Sequence, residues 1–161
     1  MGRHTNKRWP NVNPEALWAL SCRLHRRGSR LPAKIVKILN FAVFHTVLPY
    51  EARLNGSVQL WHRGLGVVIH PNTSIGAGVQ IAQNVTVASG DWEVAEEPTV
   101  VIGDKVMIGA GAFLSSKKGQ VLRIGTGARI GANAVVTNDV PAWTTVAGPQ
   151  ATVLSVRPAE D

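Results

Sequence analysis

Two histidines bracket the segment LWHRGLGVVIHP, residues 60–71. His62 stands in a short glycine-bearing turn between two aliphatic steps, and His70 follows near its end. An imidazole titrates close to neutral pH, so His62 suits proton transfer, metal ligation or simply the filling of a turn. Spacing alone leaves all three open. Other chemistry-bearing residues are few. The only cysteine is Cys22, which excludes an intrachain disulfide and a cysteine-rich zinc site. Ser89, Glu96 and Glu97 fall in the polar stretch SGDWEVAEEP, residues 89–98, and Lys117 and Lys118 fall in SSKKGQ, residues 115–120.

Composition bounds what these residues can serve. A chain of 161 residues with 45% hydrophobic and 17% charged residues reads as one folded domain with at most a small appendage. The net charge of +7 favours acidic partners: nucleic acid, an anionic membrane surface or a polyanionic small molecule. Much of the excess lies early, in Arg3, Lys7, Arg8, Arg23, Arg26, Arg27, Arg30, Lys34 and Lys37. No RNA-binding motif and little aromatic interleaving accompany it, so nucleic acid is not expected. The apolar run ALWALSC is short and flanked by polar residues, unlike a signal peptide. No stretch reads as a membrane span, and a cytoplasmic location is expected.

The elements that must position the histidine change character near residue 50, which divides an N-terminal basic helical region (1–49) from a second region (50–161). NPEALWALSCRLHRRG predicts a helix capped by Asn13, with Pro14 at its first position and its end at Gly28. PAKIVKILNFAVFHTVL predicts a second helix, with Ile35, Ile38, Leu39, Ala42 and Val43 at helical spacing and Pro49 as its stop. Basic and apolar residues mix in both, which leaves peripheral membrane contact open. The expected role of the apolar face is packing against the rest of the chain.

After residue 50 a six-residue rhythm takes over. Aliphatic residues recur as Leu54, Leu60 and Ile69; Ile75, Ile81 and Val87; Ile102, Ile108 and Leu114; and Ile124, Ile130 and Val136. Glycine often follows, and four residues on comes a small or β-branched side chain, as at Val79, Val106, Ala112 and Ala134. A period of six is neither helical nor simple strand alternation. It fits a solenoid of short strands with a corner at each repeat, whose coils bury one another's faces. The expected architecture is therefore mainly β, a parallel β-helix of about four coils. Three excursions break the rhythm: the turn holding His62, the loop 89–98 and the loop 115–120. A solenoid's side chains mostly serve stacking, so chemistry belongs on its excursions.

The runs IGAGVQIAQNVTV, IGDKVMIGAGAFL and IGTGARIGANAVVTNDVPAWTTVAG resemble the left-handed parallel β-helix acyltransferases. A basic helical region, then LPYEARL, LWHRGLGVVIHP, the repeats and VPAWTTVAG is similar to the serine O-acetyltransferase family and its sugar-acetylating relatives. The resemblance covers roughly residues 15–155. It implies a homotrimer with active sites between subunits, acetyl-CoA as co-substrate and no metal. The carbonic anhydrases built on hexapeptide repeats use three histidine ligands. Here only His62 and His70 lie on the repeats.

Residue by residue, the resemblance gives His62 the role of general base, taking the proton of a hydroxyl as it attacks the thioester. Gly109, Ala110, Gly111 and Ala132 fall where the CoA arm meets backbone groups of successive coils. His70 reads as structural. Ser89 is a candidate donor to the oxyanion. The chain also departs from the family pattern. Val47 stands where an acid commonly orients the imidazole, so Glu51 or a carboxylate from another subunit would have to substitute. Trp61 stands where an aspartate binds the amino group of serine, and Glu96-Glu97-Pro98 replaces Arg-His-Pro. Thr152 occupies a position that is commonly basic, which leaves Lys117 and Lys118 as candidates for the CoA phosphates. Trp61, Ser89, Glu96 and Glu97 are the expected acceptor contacts. The expected function is O-acetylation of a small-molecule hydroxyl. A sugar or amine acceptor and an inactive trimeric scaffold are the alternatives.

Overall fold

The computed structural model describes residues 13–148 and residue 155. The early cations Arg3, Lys7 and Arg8, and Thr152 near the C-terminus, lie outside the described residues. Helix α1 (Pro14–Arg26) starts where its sequence signals place it. The Asn13 side chain accepts from the Ala16 N–H at 2.8 Å, and Gly28 takes a left-handed conformation beyond the helix end (φ 79°). Helix α2 (Arg30–Phe44) differs from expectation at both ends: it starts two residues before Pro32 and stops five before Pro49. His45 terminates it in the left-handed region, donating its N–H to the Phe41 carbonyl. Pro49 is not needed as a stop, because Val47 already pairs with the first sheet segment: its N–H donates to the Val67 carbonyl at 2.9 Å.

The rest of the described chain winds in triangular coils. The first coil is β1 (Arg53–Leu54), β2 (Val58–Leu60) and β3 (Val68–Ile69). The second is β4 (Thr73–Ile75), β5 (Val79–Ile81) and β6 (Thr86–Ala88). The third is β7 (Val100–Ile102), β8 (Met107–Ile108) and β9 (Phe113–Ser115). The fourth is β10 (Leu122–Ile124), β11 (Arg129–Ile130) and β12 (Val135–Val136). A partial fifth turn adds a bridge at Val140 and β13 (Thr145–Val146). Corresponding strands pair in parallel, giving three flat sheets: β1-β4-β7-β10, β2-β5-β8-β11-β13 and β3-β6-β9-β12.

Register explains the rhythm. Leu54, Ile75, Ile102 and Ile124 stand in one ladder, Leu60, Ile81, Ile108 and Ile130 in another, and Ile69, Val87, Leu114 and Val136 in the third. Apart from Leu54, which is partly buried, these side chains are buried in the column, and each contributes about 1.5–3 kcal/mol on burial. The small residues four positions on, including Val79, Val106, Ala112 and Ala134, are buried beside them, filling the space near the corners. Two glycines show why the corners need them. A Cβ on Gly103 would stand 2.7 Å from the Thr126 nitrogen, and one on Gly109 would stand 2.6 Å from the Ala132 nitrogen. The next coil occupies that space.

The helices close the open end of the column. Trp18 and Cys22 join the same core cluster as the coils, and the indole N–H of Trp18 donates to the Pro49 carbonyl at 2.8 Å. Burial pushes the Cys22 thiol up to about 11. Buried Asn40 ties the hairpin together, donating to the Pro14 carbonyl and accepting from Thr46. The expectation that the apolar face of α2 packs on the chain is corrected. Ala33, Asn40 and Phe44 are buried, whereas Leu31, Ile35, Ile38, Leu39, Phe41 and Val43 are exposed. Helical spacing groups residues on a face but does not say which face is covered.

The three sheets differ on their outer sides. The first presents Arg53, Ser74, Val101 and Arg123, and the second Gln59, Gln80, Met107 and Arg129. The third, extended by Val47, presents Val47, Val68, Thr86, Phe113 and Val135 in register. Its apolar members are 37–71% exposed.

Candidate active site

His62 sits in a short 3-10 turn, Trp61–Gly64, between β2 and β3. Its backbone is left-handed (φ 51°, ψ 36°), and so is that of Arg63 (φ 59°, ψ 26°). The matching corners of the later coils place Asn84, Gly111 and Asn133 in this region, residue types that accept it readily. Arg63 has no such preference, and strain of this kind costs about 1–3 kcal/mol and persists where its surroundings enforce it. Gly64 lies against Thr46 and Leu60: a Cβ there would stand 3.1 Å from Thr46 Cγ2 and 2.9 Å from Leu60 Cδ1. The Arg63 guanidinium lies over the Phe44 ring, 5.7 Å from its centroid. Glu15 of α1 accepts the Leu60 N–H at 2.7 Å, fixing the strand end that enters the turn.

The turn thus holds its shape from beneath. Trp61 and His62 both face solvent. The imidazole has no hydrogen-bond partner among the described residues. Glu51, the local candidate for an orienting acid, lies 3.9 Å from Lys37 instead. Val47 presents only a side chain that cannot accept a hydrogen bond.

The corner residues stack above His62. Leu60, Ile81, Ile108 and Ile130 share a register, so His62, Gln83, Ala110 and Ala132, each two positions on, line one edge of the column. Successive coils are spaced about 4.8 Å apart, which puts Ala132 about 14 Å along the edge from His62. Most corner amides there are used: the Gly109 N–H donates to the Ile130 carbonyl, and the Gly111 N–H to Gln83. The N–H groups of Ala110 and Ala132 have no acceptor among the described residues. Small side chains leave them open to an amide carbonyl of an extended ligand.

The other candidates line the opposite edge of the third sheet, roughly 15 Å across at five extended residues. The loop 89–98 leaves after β6 and is held firmly. The Asn72 side chain donates to the Glu93 carbonyl at 2.7 Å and accepts from the Ala95 N–H at 2.9 Å. The Arg53 guanidinium reaches Glu97 at 3.1 Å and the Glu96 carbonyl. Ser89 is absorbed in bracing, its hydroxyl hydrogen-bonded to that of Thr99 at 2.8 Å and accepting from the Asp91 N–H at 3.0 Å. Lys117 donates to the Asn138 side chain at 2.9 Å, and Lys118 lines a groove with Asp91 and Trp92. His70 stands on this same edge, away from His62. Its Nδ1 accepts from the Asn72 N–H at 3.2 Å, and burial lowers its pKa below the ordinary value. No group of three potential metal ligands is found among the described residues.

A single chain therefore unites His62 and Trp61 with Gly109, Ala110, Gly111 and Ala132, and separates them from Ser89, Glu96, Glu97, Lys117 and Lys118. Glu15, Asn72 and Arg53 were missed as organisers. Asn72 stands three residues after Ile69, as Asn84 and Asn133 stand after Ile81 and Ile130, so the repeat does not mark it out. Nothing local marks Glu15 or Arg53, whose partners are 45 and 44 residues away.

Helix-capped hexapeptide coils with a solvent-facing histidine and open amides along one edge define an acyltransferase of the left-handed β-helix class. No protein-family model matches the chain. A serine acetyltransferase of Helicobacter pylori is 30% identical over 148 residues, covering 91% of this chain and 82% of that protein. The crystal structure of Neisseria gonorrhoeae serine acetyltransferase in complex with serine superposes with a TM-score of 0.70 at 30% identity. The match covers 87% of this chain and 55% of that one. The Brucella abortus enzyme in complex with coenzyme A gives a TM-score of 0.72 at 25% identity, over 90% of this chain and 56% of that one. The chain belongs to the serine acetyltransferase family, and spans about half the length of these solved structures.

Proposed function

We propose that the protein transfers an acetyl group from acetyl-CoA to a hydroxyl of a small molecule, with His62 as the general base. The observation that carries this reading is the shared edge: a solvent-facing histidine in line with the open Ala110 and Ala132 amides. His62 accepts the proton of the acceptor hydroxyl as its oxygen attacks the thioester carbonyl. When the tetrahedral intermediate collapses, the carbon–sulfur bond breaks and the imidazolium returns the proton to the leaving thiolate. The products are an acetyl ester and free CoA.

The apolar outer ladder Val47, Val68, Thr86, Phe113 and Val135 supports a homotrimer closed about the third sheet. In a cyclic assembly each edge of that sheet meets the opposite edge of a neighbour. His62 of one subunit would then face the loop 89–98 of the next, completing a site that one chain holds in two halves. Lys117 and Lys118 lie on that second edge, suited to CoA phosphates across the boundary.

The acceptor differs from free serine in this reading. Glu96 and Glu97 replace a cationic pair, and Glu97 is held by Arg53. Trp61 offers an aromatic face where an amine-binding carboxylate would stand. A neutral polyhydroxyl acceptor such as a sugar suits these groups better than an amino-acid carboxylate. CoA release measured with serine, sugars and amines tests this. The expected result is turnover with a sugar exceeding that with serine, and a fall of about 10²–10⁴ in kcat for His62→Ala. Equal CoA release by wild type and His62→Ala for every acceptor would falsify the reading.

A further inference from the structure

The exposed face of α2 is unlike a solvated helix surface. Leu31, Ile35, Ile38, Leu39 and Val43 recur at three- and four-residue steps, and at about 100° per residue they form a stripe opposite buried Ala33, Asn40 and Phe44. All five are 48–69% exposed. One flank of the stripe, Ile38 with Phe41, adjoins Val47 across a groove that Lys34 and Lys37 also line. The other flank, Ile35, Leu39 and Val43, does not line that groove.

Charge selects the occupant. The hairpin 13–44 contains Arg23, Arg26, Arg27, Arg30, Lys34 and Lys37 against a single acid of its own, Glu15, while Lys37 pairs with Glu51 at 3.9 Å. Glu15 is turned inward to Leu60, and α2 itself has no acidic residue. Arg26, Arg27 and Arg30 are exposed at the turn where the stripe begins. A second copy paired through α2 about a two-fold axis would bring no carboxylate to these cations, because the far end of the helix carries only His45. A surface of anionic lipid headgroups neutralises them and accepts the apolar stripe at the same time. No helix among the described residues is long and apolar enough to cross a membrane, so the contact is peripheral.

We infer that α2 lies on an anionic membrane surface, its apolar stripe in the headgroup boundary and the cations of the α1–α2 turn against lipid phosphates. The site edge on the β-helix then works beside a bilayer, within reach of acceptors carried there.

Flotation of the full chain with phosphatidylcholine vesicles, with and without about one third phosphatidylglycerol, tests this. The wild type floats with the anionic vesicles only, and high salt releases it. Ile35→Glu/Leu39→Glu and Arg26→Glu/Arg27→Glu/Arg30→Glu each lower the bound fraction by about tenfold or more. Both leave CoA release with a soluble acceptor unchanged, which separates lost docking from lost folding. A wild type that stays unbound, or an Ile35→Glu/Leu39→Glu variant that binds as well as the wild type, overturns the proposal. If the wild type stays unbound and the variant has half its solution mass, the face belongs to a second copy.

Discussion

Glu15, in the first turn of α1, accepts the backbone N–H of Leu60 at 2.7 Å, two residues before His62. The helical hairpin is thereby fastened to the strand end that launches the turn. It is more than a plug for the column. Glu15→Ala leaves that N–H without its acceptor and is expected to cost about 1–3 kcal/mol in urea unfolding. It also lowers kcat several-fold while leaving the KM for acetyl-CoA near wild type. Glu15→Gln keeps an acceptor oxygen and restores most of both. A kcat that does not respond to Glu15→Ala would reduce the contact to a purely structural one.

The open amides of Ala110 and Ala132 predict where the acyl donor binds. Ala132 is exposed, so Ala132→Glu should fold normally while placing a carboxylate against a polyanionic ligand. Its KM for acetyl-CoA is expected to rise about tenfold, equivalent to about 1.4 kcal/mol, with kcat for the bound complex little changed. Steady-state kinetics with varied acetyl-CoA read this directly.

Phe113 and Val135 face outward from adjacent positions of the third sheet. Phe113→Glu/Val135→Glu puts two charges on that face without touching the column's interior. Sedimentation velocity should show the solution mass falling to one third, and activity should fall with it because the two halves of the site no longer meet. Full activity in a monomeric variant would show that one chain suffices.

His70 gives a pH signature independent of catalysis. Burial lowers its pKa in the folded chain, while its Nδ1 accepts from the Asn72 N–H. The unfolded chain takes up the proton first on acidification, starting from the ordinary value of 6.5. Stability from this residue is therefore full above that pH and declines as the pH falls through the folded value. His70→Asn keeps an acceptor near the Nδ1 position and does not titrate. The wild type should lose more stability than the variant between about pH 7.5 and about pH 5.5. Parallel urea midpoints for both proteins at the two pH values check it.

The β-helix was legible because its rhythm has a direct steric cause. Leu60, Ile81, Ile108 and Ile130 repeat in sequence because they stack in space, and excursions show as gaps in the count. His62 was legible for the same reason, as a chemical group standing on a gap. What covers a surface was not. The stripe of α2 reads as a packing face in sequence, yet a helix can be apolar on two sides and bury only one. Nor did the sequence show that Ser89 would be spent on Thr99 and Asp91, since a hydroxyl's partner is chosen by loop geometry. The separation of His62 from Glu97 belongs to neither residue. It follows from a corner sequence that sends one loop to each side of the same sheet.

The glycine corners carry one more consequence. The Ala132 nitrogen fills the space beside Gly109, which keeps the coils from closing further, and the Gly109 N–H donates to the Ile130 carbonyl at 2.8 Å, which keeps them from parting. The edge is a ruler graduated in coils of about 4.8 Å. On the proposed reading a donor anchored at Ala132 presents its far end at a fixed mark, that of His62. Reach can change only in whole graduations, by gaining or losing a coil. On the proposed reading, variation in the acceptor then arises in the loops at the sheet's far edge.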